Sequence, residues 1–312
     1  MNSKKAGWLF LCMIVCMVAV SFATELLALI FNVSLSLAAS NFISEMSMFI
    51  PALLFMVCTG ERFMDMFPIR KIKITTALLV PVYLILIMPL CYFANSITML
   101  FVENTVQAAS GQILAMSVPQ MILSIGIFAP FIEECCYRGI LFQSFKRSTR
   151  IIASIVISSL LFGLMHLNLN QAAYAFLLGM MFAILVEATG SLIPSMMAHM
   201  LLNTSQVLML YWENNYGEEI LEAAESLSEA DTKQALLMAI GPLGVAAVIG
   251  SAIAICIAYC MAKNEGRGDY FKSITRLQPM RDENGKKEKV VTIPLIFAMG
   301  ICLIFIVMYM IM

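Results

Sequence analysis

His166 and His199 are the only two histidines of the chain, and both fall inside apolar runs. Glu133 and Glu134 close another such run, with Arg138 four residues beyond Glu134. On a helix this spacing puts Glu134 and Arg138 on one face, where they neutralise each other. Glu133 is then turned about 100° away, with no local partner. A carboxylate without a counter-charge is suited to take a proton from water. Phe162 and His166 are also four apart, as are His199 and Asn203, so each pair occupies one helical face. A free carboxylate at the depth of an imidazole is a candidate general base working near neutral pH. The competing reading of Glu133, Glu134 and Arg138 is a paired acidic cluster closing a helix at a membrane interface. Against it stands the depth of His166. With a turn at 148–150, Glu133 and His166 lie at nearly equal distances from that turn, roughly 24 Å along either helix at 1.5 Å per residue.

These side chains need helices that cross lipid to bring them together. Hydrophobic residues form 61% of the chain and charged residues 12%, and mean hydropathy is +0.89. A water-soluble fold of 312 residues could not hide that much apolar surface. The same figures exclude a disordered chain, a secreted disulfide scaffold and a nucleic-acid module. The nine cysteines lie in apolar stretches without C-x-x-C spacing and read as small buried hydrophobes. The expected class is therefore all-α, a polytopic membrane helix bundle of about eight to nine transmembrane helices. Nine apolar runs of span length occur near 7–31, 42–60, 74–95, 112–132, 150–167, 171–188, 191–211, 235–262 and 291–312. With alternating crossings, all of the 19 Lys and Arg residues except Lys233 fall on one side. The positive-inside rule makes that side, and the amino terminus with it, cytoplasmic.

The organisation follows. Helices 1–3 occupy residues 1–111, and a core of helices 4–7 carrying the polar residues occupies 112–211. An external acidic segment is expected at 212–234, amphipathic and helical. Helices 8 and 9 fill 235–312, joined by a basic cytoplasmic connection at 263–289 that rests against anionic lipid. Ionisable groups within spans are functional candidates by default, and Glu25 and Glu187 join the list on that ground.

Taken in order, Glu133-Glu134-x-x-x-Arg138, Phe162-x-x-x-His166 and His199-x-x-x-Asn203 resemble the motif set of the CPBP family, the CaaX protease and bacteriocin-processing (Abi) group of intramembrane proteases. The run from Gly179 through Thr189-Gly190-Ser191-Leu192-Ile193-Pro194 into His199 resembles the family's third block. The likeness covers roughly residues 120–205. It implies an endopeptidase acting on a membrane-bound protein or peptide, of CaaX type or in bacteriocin or pheromone processing, with the lipid bilayer as its other partner and no nucleic acid. It further implies that Glu133 and His166 hold and deprotonate the water, that His199 and Asn203 face the oxyanion, and that Glu134, Arg138 and Phe162 support them.

The family name metalloprotease leaves zinc open, with His166, His199 and Glu133 as the ligands if one is used. The absence of H-E-x-x-H and the Glu134–Arg138 pairing favour a glutamate-activated water without a metal cofactor. Two other classes compete: a non-proteolytic membrane immunity or scaffold protein of the same fold, and a proton-coupled transporter using the acids and histidines as a relay. The expected location is the bacterial plasma membrane, with the site open to the cytoplasmic half.

Overall fold

The computed structural model describes residues 1–217, 228–276 and 289–311. Its main helices are α1 (Ser3–Phe31), α2 (Leu37–Cys58), α3 (Ile74–Thr98), α4 (Val118–Lys146), α5 (Ile151–Leu164), α6 (Leu169–Thr189), α7 (Ile193–Tyr216), α8 (Glu229–Asn264) and α9 (Ile293–Ile311). The chain is an all-helical integral membrane protein, and each apolar run of the sequence has its helix. Seven of the nine are long and apolar enough to cross a membrane, which is fewer than the eight or nine spans expected. The two shortfalls have different causes. The 14 residues of α5 reach only about 21 Å, less than the hydrocarbon thickness. At 24 residues α7 has the length, but it carries His199, Asn203, Thr204, Ser205 and Gln206 in its middle.

Local signals set the boundaries. Ser36 caps α2 by accepting from the Ala39 amide, and Asn168 caps α6 by accepting from that of Gln171. Asn32 ends α1 in the left-handed conformation and returns its N–H to that helix's last turn. The acidic segment expected at 212–234 is divided differently: Trp212–Tyr216 finish α7, Glu229 opens α8, and 218–227 lie outside the described residues. Within the expected basic connection, α8 continues to Asn264 and a short helix spans Gly268–Ser273, while 277–288 also lie outside the described residues.

The helices pack into one bundle with a continuous core. The α5–α6 hairpin, α7 and the middle of α4 surround the polar residues, α2 covers α4, and α8 lies along α3. At one end the basic connections meet. Arg147 contacts Glu61 at 2.7 Å, Arg70 exchanges hydrogen bonds with Ser191, and the Lys73 amide donates to Glu265 at 3.0 Å. Glu187 belongs to this end as well, paired with Lys146 and accepting from Tyr270 Oη at 2.6 Å.

Candidate active site

Helix α4 is not uniformly α. Two π-helical stretches, Ile122–Phe128 and Cys135–Leu141, flank the α-helical Ala129–Glu134 that carries both acids. Such widened turns rotate the residues that follow and occur often at functional sites. Arg138, which charge alone would send to the aqueous connection, is instead only 1% exposed inside the bundle.

Its neighbours explain why burial is tolerated. Arg138 Nη1 lies 2.9 Å from Glu134 Oε1, four residues back, as the spacing implies. The guanidinium stacks 4.0 Å from the centroid of the Phe162 ring and also faces Phe182. The ion pair and the two rings are what offset the loss of water here, since neither Nη of Arg138 has a hydrogen-bond partner among the described residues. Gly179 on α6 makes room for it: a Cβ there would stand 3.1 Å from Arg138 Nη2.

Glu134 does more than its pairing with Arg138 suggests. Oε1 also receives His199 Nδ1 at 3.0 Å, and Oε2 accepts from the Ser195 hydroxyl. Ser195 and His199 are four apart on α7, so one carboxylate ties α4 to one face of α7 at two points. The other ring nitrogen, His199 Nε2, faces Glu133 Oε2 at 3.4 Å. Glu133 therefore does have a partner, which spacing along α4 alone does not reveal.

Phe162 is the hub between the two imidazoles. His166 meets its edge at 5.2 Å between ring centroids and His199 at 5.8 Å, both near perpendicular. His166 lies within electrostatic reach of Glu133 and His199. Its Nδ1 is engaged by the Phe162 carbonyl at 2.9 Å, which leaves Nε2 for chemistry. One turn beyond His199, Asn203 Nδ2 donates to the Ile125 carbonyl at 3.2 Å, inside the first π-helical stretch. Gly126 lets α7 come this close, since a Cβ there would stand 2.5 Å from Thr204 Oγ1. Glu133, Glu134, Arg138, Phe162, His166 and His199 thus converge, with Asn203 one turn away. Glu25 is exposed on α1 and Glu187 sits at the basic end, so neither joins them.

The turn after His166 is clamped. Leu167 adopts φ 56°, a conformation that costs a non-glycine residue of order 1 kcal/mol. Asn168 holds it there, donating to the His166 carbonyl at 2.8 Å while its Oδ1 accepts from the Gln171 amide and from Thr105 Oγ1. Asn168→Ala is expected to lower stability by about 1 kcal/mol through the lost cap. If the site turns over a substrate, the rate should fall by roughly tenfold or more as well, since small misplacements of reacting groups are costly. Thermal unfolding and steady-state kinetics of the same preparation check both, and unchanged turnover would show that His166 needs no clamp.

Sequence reasoning missed three members of this environment: Ser195, Phe182 and Glu45. Ser195 and Phe182 are ordinary residues of helices and gave no signal. Glu45 did give one, as an acid inside the second apolar run, and the rule that picked out Glu25 and Glu187 applies to it equally. A groove of about 490 Å³ opens between α2, α4 and α7, lined by Ala38, Phe42, Leu123, Ile127, Phe131 and Met200 among others and by none of the polar residues above. Phe131 and Met200 are near neighbours in sequence of Glu133 and His199.

A metal requires converging donors. Among the described residues no group of three or more His, Cys, Asp or Glu side chains is placed to hold one. Both nitrogens of His199 and one of His166 already have partners.

Comparison with known proteins agrees with the motif reading. Residues 115–205 match the family model described as Type II CAAX prenyl endopeptidase Rce1-like. A Bacillus subtilis (strain 168) protein named "Putative membrane peptidase YdiL" is 35% identical over 107 residues, which is 34% of this chain and 43% of that protein. The chain therefore aligns with less than half the length of that relative. No solved structure gives a significant match.

Proposed function

We propose that this chain, whose central segment carries the CPBP-family likeness, is an intramembrane endopeptidase in which Glu133 activates a water against a peptide bond. One observation carries the reading: Glu133 and His199, from different helices, face each other at 3.4 Å beside a phenylalanine that also holds His166. Buried acids and imidazoles within lipid are costly and persist where they have work to do.

In this mechanism Glu133 takes a proton from a water that His166 Nε2 helps to hold. The oxygen attacks the scissile carbonyl, and negative charge moves onto the carbonyl oxygen. Glu134 accepts from His199 Nδ1–H and fixes the ring. In this reading the Nε2–H of a protonated His199 turns from Glu133, its partner at 3.4 Å, to that oxygen once Glu133 has taken the proton. Asn203 has two amide hydrogens, one on Ile125 and one free for the same task. Donors fixed in advance of the reaction are worth most in a site that excludes bulk water. The substrate is a membrane-bound protein or peptide, and the groove lined by Phe131 and Met200 suits its apolar part. We place the site open to the cytoplasmic half, on the positive-inside reading of the basic end. Products cut only on the opposite side would contradict that placement.

The test of the activity is a comparison of membrane peptide fragments in the native host between wild type and Glu133→Gln. Fragments present only with wild type support the reading, and identical fragment sets overturn it. With no three converging donors among the described residues, our reading has the water activated by carboxylate and imidazole alone. Cleavage by purified protein is then expected to persist within about twofold after exhaustive chelation, with no zinc recovered by elemental analysis, since no metal-bound water is involved. Loss of activity on chelation that zinc restores would overturn this part.

A further inference from the structure

His166 stands just past the end of α5, next to the left-handed Leu167. A strained turn keeps its shape only where its surroundings over-determine it. Asn168 is the clamp, and its side-chain amide can make four hydrogen bonds, two given and two received. All four are made. Nδ2 donates to the His166 carbonyl at 2.8 Å and to Gln171 Oε1 at 2.7 Å. Oδ1 accepts from the Gln171 amide at 2.8 Å and from Thr105 Oγ1 at 3.0 Å. Three of these bonds stay within residues 166–171. A motif closed on itself fixes its own shape but not its place against other helices. Thr105 supplies the fourth bond, and among the described residues it is the partner that comes from elsewhere in the chain.

Thr105 belongs to the connection between α3 and α4 and is itself anchored. Its amide donates to Asn170 Oδ1 at 3.2 Å. Asn170 is fully buried and spends both amide hydrogens on the end of α3, at 2.8 Å from Asn95 Oδ1 and 3.0 Å from Thr98 Oγ1. Thr105 therefore meets both asparagines at the start of α6, one through its hydroxyl and one through its backbone. Asn104 braces it by accepting from the Val106 and Gln107 amides. Farther along the connection, Ile113 and Met116 pack with Met121 of α4 and Val207 of α7. Val207 is four residues beyond Asn203, on the same helical face. The connection thus runs from the turn beside His166 to the face of α7 that carries Asn203.

We propose that Thr105 is a positioning residue for the reaction. Through Asn168 it fixes the His166 turn against α7, so that the imidazole holding the water keeps its place relative to the donors that meet the oxyanion. Thr105 itself touches neither water nor substrate. Its leverage comes from geometry, because a misplacement of about 1 Å at a reacting group costs up to about 100-fold in rate. Thr105→Val isolates the effect. It keeps the side-chain volume and the backbone bond to Asn170, and it loses only the hydroxyl bond to Asn168.

The inference rests on the peptidase reading above, so the probe is a synthetic peptide spanning one cut that wild type makes and Glu133→Gln does not. Purified proteins are compared in proteoliposomes. Thr105→Val is expected to lower kcat about tenfold with KM within about twofold. Thr105→Ser keeps the hydroxyl and should stay within about twofold of wild type in both. Because Thr105 acts through Asn168, Thr105→Val combined with Asn168→Ala should be no slower than Asn168→Ala alone. Thr76→Val is the control for stability: Thr76 donates to Glu265 at the basic end, so this variant loses a hydroxyl bond and is expected to keep wild-type kcat. A Thr105→Val protein with wild-type kcat overturns the proposal, as does a change confined to KM. So does a loss that Thr105→Ser shares, multiplying losses in the double variant, or an equal fall in Thr76→Val. Should Thr105→Val fail to fold, Thr105→Ala, which adds no atom, replaces it in every comparison. If wild type cuts no such peptide, the peptidase reading itself fails and takes this inference with it.

Discussion

Glu133→Gln is expected to reduce peptide-bond cleavage by about 10³-fold while leaving the fold intact. General-base catalysis contributes typically 10²–10⁴-fold, and the amide of glutamine matches the carboxylate in size but cannot take a proton. Its position favours a clean result, because Glu133 contacts His199 at 3.4 Å whereas the helix-to-helix ties run through Glu134. The variant should therefore unfold at nearly the wild-type temperature and still bind substrate. Initial rates with the purified protein, next to a thermal unfolding curve, provide the check. A Glu133→Gln protein that cuts at more than a tenth of the wild-type rate would remove Glu133 from the base role and with it the proposed mechanism.

Arg138→Ala is expected to have the largest effect on stability. It removes the cation from a carboxylate that is 0% exposed, and breaking a buried pair on one side costs about 3–5 kcal/mol. The stacking over Phe162 goes with it, and Phe162 is the surface on which both imidazoles rest. Activity should fall together with stability. Arg138→Met combined with Glu134→Gln removes both charges and keeps the volume, so it should recover part of the lost stability but not the activity, because Glu134 also orients His199. Unfolding in detergent by heat or denaturant measures the four corners of this cycle. Independent, additive losses would show that the two side chains do not act as a pair.

Different physics governed what each level could show. The sequence by itself established the class, since a chain with so little charge and such long apolar runs has no stable form in water. It also picked out Glu133, Glu134, Arg138, Phe162, His166, His199 and Asn203. Polar residues are rare in apolar helices, and spacings of three and four are geometric properties of one helix that require no knowledge of its neighbours. The Glu134–Arg138 pair was legible for that reason. So were the faces shared by Phe162 with His166 and by His199 with Asn203.

Whatever depends on a second helix was not legible. Spacing along α4 left Glu133 without a partner, and the partner is on α7. It gave Glu134 to Arg138 alone, although its carboxylate also holds Ser195 and His199. Glu187 read as a candidate for chemistry, and the packing of α6 carries it to the basic end beside Lys146 and Tyr270. Glu45 lies far from every motif in the sequence, and only the packing of α2 against α4 buries it. The starts of α2 and α6 were fixed by caps that the sequence contains, but the left-handed turn at Leu167 beside His166 was not. The periodicity of one helix reports which residues share its face. The rotation and depth of each helix against the next are set by close packing over many side chains at once, and no local spacing encodes them.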